Sequence, residues 1–230
     1  MFARLQLVPA LALALAACAP APPAERPTLA LMSSLPLYWG EEGQAFGAML
    51  DGDAEPDWVR TALEQRFVLA PLDALEPEAL RSYRYLLLAQ PRPLSPQENV
   101  ALDAWVRGGG RLLLLADPLL TRHSDYAVGD PRRPQDTALL SPILARWGLE
   151  LQFDGAQGDR SASLDGTPLP LRQAGRLQQR NGSRCEPIAD AVLMRCPIER
   201  GQALVLADAA VLDDPAAGAA LQTLLVKAFD

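Results

Sequence analysis

The sequence predicts an α/β fold: an open, mostly parallel sheet carrying a small antiparallel β insert. Four short apolar runs are the first sign, TLALMSS at 28–34, YLLLAQ at 85–90, RLLLLAD at 111–117 and ALVLAD at 203–208. They are too continuous for strands with one wet face, and strands apolar on both faces mark a sheet covered by helices on each side. Helical periodicity between the runs is the second sign. The third is a change of texture after Gly148, where short alternating stretches are broken by Gly, Pro and Asn-Gly.

After the first run, Asp57 precedes Val59, Leu63 and Phe67, a helical stripe. After the second, Ser95-Pro96-Gln97-Glu98 opens a helix with a capping box and the favoured proline. Leu102, Trp105 and Val106 form its buried stripe, and Gly108-Gly109-Gly110 stops it. Leu140, Ile143, Leu144 and Trp147 repeat the spacing before Gly148, and Leu221, Leu224, Leu225 and Ala228 repeat it at the end. From 149 to 198, LELQF, SASLDG, PLPLRQ, GRLQQR and AVLMRCPI read as the small antiparallel strands of the insert.

The first residues give an address. Met1 to Ala17 has one positive charge, Arg4, then an apolar stretch broken by Gln6 and Pro9 and ending in small residues, which reads as a secretory signal peptide. The run is too short for a spanning helix, which needs about 20 apolar residues. Leu15-Ala16-Ala17-Cys18 resembles the lipobox of bacterial lipoproteins, which implies cleavage before Cys18 and acylation of its sulfur and new amine. Acyl chains hold a soluble domain on a membrane at ~0.8 kcal/mol per buried methylene. By the same resemblance, Ala19 in place of Asp favours the outer membrane over the inner. The expected organisation is a signal peptide over 1–17, a lipidated Cys18 with a proline-rich tether to residue 27, and a single α/β domain over 28–230.

The formal net charge is −7. Phosphate binding draws on clustered cations, so nucleic acid is excluded as the expected partner. With Cys18 carrying lipid, Cys185 and Cys196 remain, and an even pair in an oxidising compartment is expected to be bonded, two reduced core thiols being the alternative. A zinc site is not expected, because it wants four ligands and the chain has one histidine. No cofactor is expected.

The block YLLLAQPRPLSPQENVALDAWVRGGGRLLLLADP, residues 85–118, resembles an auxiliary domain of uncharacterised ABC-type transport systems, including those associated with gliding motility. The closing IERGQALVLADAAVLDD, residues 198–214, looks like that family's final strand and turn. The resemblance implies a flavodoxin-like sheet of the class I glutamine amidotransferase type. In those enzymes a nucleophilic cysteine stands on a strand-to-helix turn. Here the comparable exit reads Leu115-Ala116-Asp117-Pro118, so the nucleophile does not carry over, and no G-x-S-x-G is present.

Ligands of open α/β sheets gather beyond the carboxyl ends of the strands. That places Trp39, Glu41, Glu42, Asp117, His123 and Asp208 as candidates for a ligand or partner surface, with Asp117 and Asp208 alternatively capping turns. His123, the single histidine, sits in TRHSDY beside Ser124 and Asp125 and reads as a solvated loop residue, since triad groups must converge in space and chain neighbours usually point apart. The expected function is that of a non-catalytic envelope lipoprotein on the periplasmic face, accessory to an ABC-type transport or envelope-assembly system through an envelope protein partner. A divergent hydrolase or amidase at the strand edge is one alternative. A structural lipoprotein whose edge is filled by loop 118–136 is the other.

Overall fold

The computed structural model describes residues 26–40, 56–153, 155 and 158–230. Cys18, Glu41 and Glu42 lie outside the described residues, as do the leader and most of the tether. Among the described residues, eleven strands follow in chain order: β1 (Thr28–Ser33), β2 (Val68–Pro71), β3 (Tyr85–Ala89), β4 (Arg111–Leu115), β5 (Leu149–Gln152), β6 (Arg160–Leu164), β7 (Thr167–Leu171), β8 (Arg176–Gln179), β9 (Glu186–Ala189), β10 (Leu193–Ile198) and β11 (Gly201–Leu206). The helices are α1 (Trp58–Glu64), α2 (Pro77–Leu80), α3 (Pro96–Arg107), α4 (Ser141–Arg146) and α5 (Gly218–Phe229).

The central sheet has the order β2-β1-β3-β4-β11-β10-β9. Its first five members are parallel neighbours, while β10 and β9 continue it antiparallel. The apolar runs are explained by the pleat, which sends successive side chains to opposite faces. Leu29, Leu31, Leu87, Leu113, Leu115, Leu204 and Leu206 enter one core with α1 and α5. Ala30, Met32, Leu86, Leu88, Leu112, Leu114 and Val205 enter the other with α3 and α4. Both faces are dry, so no polar position interrupts the runs.

Capping chemistry sets the helix starts. Asp57 accepts from Val59 N at α1, and at α3 Ser95 Oγ and the Glu98 carboxylate make the reciprocal capping box. Glu98 also takes Arg92 at 2.7 Å, and that hydrogen bond, against the opposing pull of burial, holds its carboxyl down at about 2. Beyond α3, Gly109 has φ +115 and Gly110 lies flat beneath the Trp105 ring, where an added Cβ would come within 2.4 Å of it.

Two elements escape the periodicity. β2 is a half-exposed edge strand within the apolar stretch 67–72, which begins at Phe67, the last residue of the helical stripe, and carries Pro71. α2 has four residues, too few for a stripe.

The insert expected over 149–198 also differs. Only β5 with β8 and β6 with β7 form separate two-stranded sheets. AVLMRCPI becomes β10, which lies antiparallel against β11 in the main sheet because Ile198 and Gly201 pair across a two-residue turn. β6 and β7 join through Asp165 and Gly166, both at positive φ, the geometry of a tight hairpin turn. Cys185, just before β9, is disulfide-bonded to Cys196 on β10.

Candidate functional site

The chain passes from β1 outward to β2 and then back across to β3, so the sheet order reverses between β1 and β3. A crevice opens at such a point in a parallel sheet, beyond the carboxyl ends of the strands. Here the residues leaving those ends are Ser34, Gln90, Asp117 and Asp208.

Gln90 is the centre of this edge. It leaves β3 at φ 46 and is fully buried. Its amide brackets the next strand exit, accepting from Asp117 N at 2.8 Å and donating to Asp117 O at 3.0 Å. It also donates to Gln135 O at 2.8 Å, while Gln135 N donates to Ser34 Oγ at 3.0 Å. The Ser34 hydroxyl in turn donates to Gln90 O. The crevice between β1 and β3 is therefore occupied by the main chain of Gln135.

Loop 118–136 is held there by further bonds. Leu120 N donates to Asp136 O at 2.9 Å, and Ala138 N to Asp117 O at 2.8 Å. Arg122 reaches across to Asp57 at 3.1 Å and to Leu212 O at 3.3 Å, tying the loop to the start of α1 and to the turn at Ala210–Leu212.

Asp117 and Asp208, read either as part of a ligand or partner surface or as turn caps, are buried. All four of their carboxylate oxygens accept main-chain N–H groups. Asp117 takes Leu119 N at 2.8 Å and Ala209 N at 3.2 Å. Asp208 takes Ala210 N at 2.6 Å and Arg172 N at 2.8 Å. This is the turn-capping arrangement, with one oxygen of each reaching a distant segment as well. Burial pushes the Asp208 carboxyl up to about 7 and the Asp117 carboxyl up to about 6, and each is raised further by neighbouring carboxylates. Asp213 beside them is raised by burial and pulled back by Arg122 and Arg172, the latter at 3.3 Å.

The other candidates stand apart. Trp39 is 67% exposed and meets Tyr38 edge-on, with ring centroids 4.7 Å apart. His123 is exposed and its Nε2 faces Asp125 Oδ1 at 3.2 Å, whereas Ser124 Oγ accepts from Tyr126 N. These three therefore form no Ser-His-Asp relay. Among the described residues no group of three or more His, Cys, Asp or Glu side chains is placed to hold a metal ion.

Gln90 and Gln135 were not among the sequence candidates. One signal for Gln90 is in the chain: an amide immediately follows the all-apolar run YLLLA, at a level of the sheet where both faces are covered. Gln135 has no such signal, since its role rests on a contact 101 residues away.

Comparison with known proteins bears on fold and family. The family model described as ABC-type uncharacterized transport system matches residues 26–168. No curated protein matches the sequence. Among solved structures, a ThuA-like protein from Bacteroides uniformis is similar with a TM-score of 0.50 at 13% identity, over 92% of this chain and 94% of that one, and fits a glutamine amidotransferase-like fold. A cytoplasmic protein from Salmonella typhimurium LT2 is similar at 0.51 and 12% identity, over 75% of this chain and 86% of its own. An exo-β-1,4-mannosidase from Opitutaceae bacterium strain TAV5 reaches 0.52 at 13% identity over 87% of this chain. The chain spans 36% of that enzyme's length, and at these identities the likeness is one of fold. Among the described residues no helix is long and apolar enough to cross a membrane.

Proposed function

The chain belongs to the family of uncharacterized ABC-type transport systems, and from that premise we propose that it is a non-catalytic, membrane-anchored accessory of such a system. In this reading residues 1–17 are removed, Cys18 is acylated, and the tether to residue 27 holds a single domain on the periplasmic face of the envelope, at the outer membrane. The domain is flavodoxin-like, with β2-β1-β3-β4-β11 as its parallel core. Its partner is an envelope protein of the transport system rather than nucleic acid.

The observation that carries the non-catalytic part is the occupied crevice. Where a doubly wound enzyme would hold substrate, Gln135 fills the space between β1 and β3, and the carboxylates of Asp117 and Asp208 are already engaged by main-chain N–H groups. A nucleophile, a base and an oxyanion site must converge on open space to do chemistry. The glycosidase activity of the similar enzymes is therefore not carried over. The filled edge equally fits a structural lipoprotein without a ligand, and association with a transporter separates the two.

Anchoring is tested by feeding cells an alkyne fatty acid and isolating the full-length protein. Label on the native chain, lost together with membrane sedimentation in Cys18→Ser, is the expected result. An unlabelled native chain that stays in the membrane fraction would contradict it. Association is tested by purifying the acylated chain from gently solubilised envelopes: co-purification of transporter subunits supports the accessory reading, and their absence favours the structural one.

A further inference from the structure

The outward face of α3 is unusual for an exposed helix. Its charged residues are all engaged: Glu98 with Arg92, Asp103 with Arg107 at 2.8 Å and with Arg146, and Arg107 with Glu199 at 2.7 Å. What faces solvent is Gln97, Val100, Ala104 and Gly108, spaced as one helical stripe without a charge, and Val100 is 66% exposed. A solvated helix face ordinarily carries charged residues.

This stripe lines an open groove of about 910 Å³ running between α3 and the α2 segment, with Leu80, Tyr83 and Arg84 among the lining residues opposite. Trp105 stiffens the groove, its ring packed over Gly110 and its Nε1 donating to Tyr83 O at 2.9 Å. Among the described residues the charged side chains lining the groove are Arg81 and Arg84, in a chain of net charge −7. The Arg81 pair with Glu78 is 3.7 Å long and exposed, which leaves that guanidinium available, and Arg84 lies 5.7 Å over the Tyr85 ring.

We propose that this groove docks a segment of a partner protein that presents apolar side chains flanked by carboxylates. The uncharged stripe receives the apolar residues, and Arg81 with Arg84 meets the acids. A second copy fits poorly. In a two-fold contact through this patch each copy would offer the same lining, which among the described residues holds Arg81 and Arg84 and no carboxylate to meet them. The inference rests on the accessory reading only in requiring a protein partner, and it does not depend on the acylation of Cys18.

The test is a photo-crosslinking amino acid placed at Val100 of the full-length chain in its own cells, with Val226, exposed on α5, as the control position. The expected result is an adduct to one protein from position 100 and not from 226, mapped by mass spectrometry to an apolar stretch bordered by Asp or Glu. Its yield falls about tenfold when Arg81→Glu and Arg84→Glu are combined, with the thermal melt of that variant unchanged. No adduct at 100, adducts only to lipid or to a second copy, a mapped segment without carboxylates, or a yield indifferent to charge reversal would each overturn the groove. Loss of the crosslink while transporter subunits still co-purify would sink the groove alone. A retained crosslink on an unacylated native chain would sink the anchoring instead.

Discussion

Two ends of one sheet are finished in opposite ways. At the carboxyl edge, polar side chains are buried and paired with main-chain groups, and the chain's own loop fills the crevice. Beside the amino ends of β3 and β4, the groove along α3 is open, apolar and rimmed by two arginines. Buried polar groups without partners cost too much to keep, so the first end is committed to the fold. The second is free of that commitment. In this molecule the place where its fold usually binds is the closed one, and the accessible surface lies elsewhere.

Removing the Gln90 amide should break the closed end most severely. Gln90→Leu keeps the volume but leaves Asp117 N and Gln135 O unpaired and takes from Asp117 O one of its two donors, the other being Ala138 N, a loss of about 4 kcal/mol in urea unfolding. The disulfide lies outside both regions and sets a scale for them. Replacing Cys185 and Cys196 together by Ala should cost about 3 kcal/mol, since the bond closes a loop across 11 positions, and reductant should then have no further effect.

A smaller effect follows from the aspartates. With Asp208 held up at about 7 and Asp117 at about 6 by burial, the folded chain keeps protons that an unfolded chain would release. Their contribution to stability is complete below about pH 4 and is lost as the pH rises through 6 to 7. Unfolding at pH 6 and at pH 8 should differ by roughly 2 kcal/mol, and Asp208→Asn should remove most of that difference. A stability that rises with pH across this window would contradict the burial argument. At the open end the expected change is smallest. Val100→Lys, on an exposed face, should alter unfolding by less than about 0.5 kcal/mol while abolishing any contact made through the groove.

Much of the scaffold was legible because its signals are local. The four apolar runs became β1, β3, β4 and β11, and the Ser95–Glu98 capping box opened α3. β2 was not legible, because its apolar stretch 67–72 starts on the helical stripe at Phe67 and contains Pro71, a residue that argues against a strand interior. β10 read as part of an insert, since Arg195 and Pro197 interrupt an otherwise buried strand. The site was legible in location but not in state. Asp117 and Asp208 sit at the strand exits as expected, yet nothing in their spacing tells that loop 118–136 folds back over them. That depends on Gln90, Ser34 and Gln135 meeting from three distant parts of the chain. The uncharged stripe at Gln97, Val100 and Ala104 could be read only after Glu98, Asp103 and Arg107 were seen to turn aside into their own pairs.

Hydrogen exchange on the full-length protein tests the closed edge most directly. If the chain itself seals the crevice, the Asp117, Gln135 and Ala138 amides exchange as slowly as those of β4, while those of His123 and Asp125 exchange freely. Fast exchange at Gln135, matching that of the exposed loop residues, would mean that the crevice stands open in solution and that the edge is available to a ligand after all.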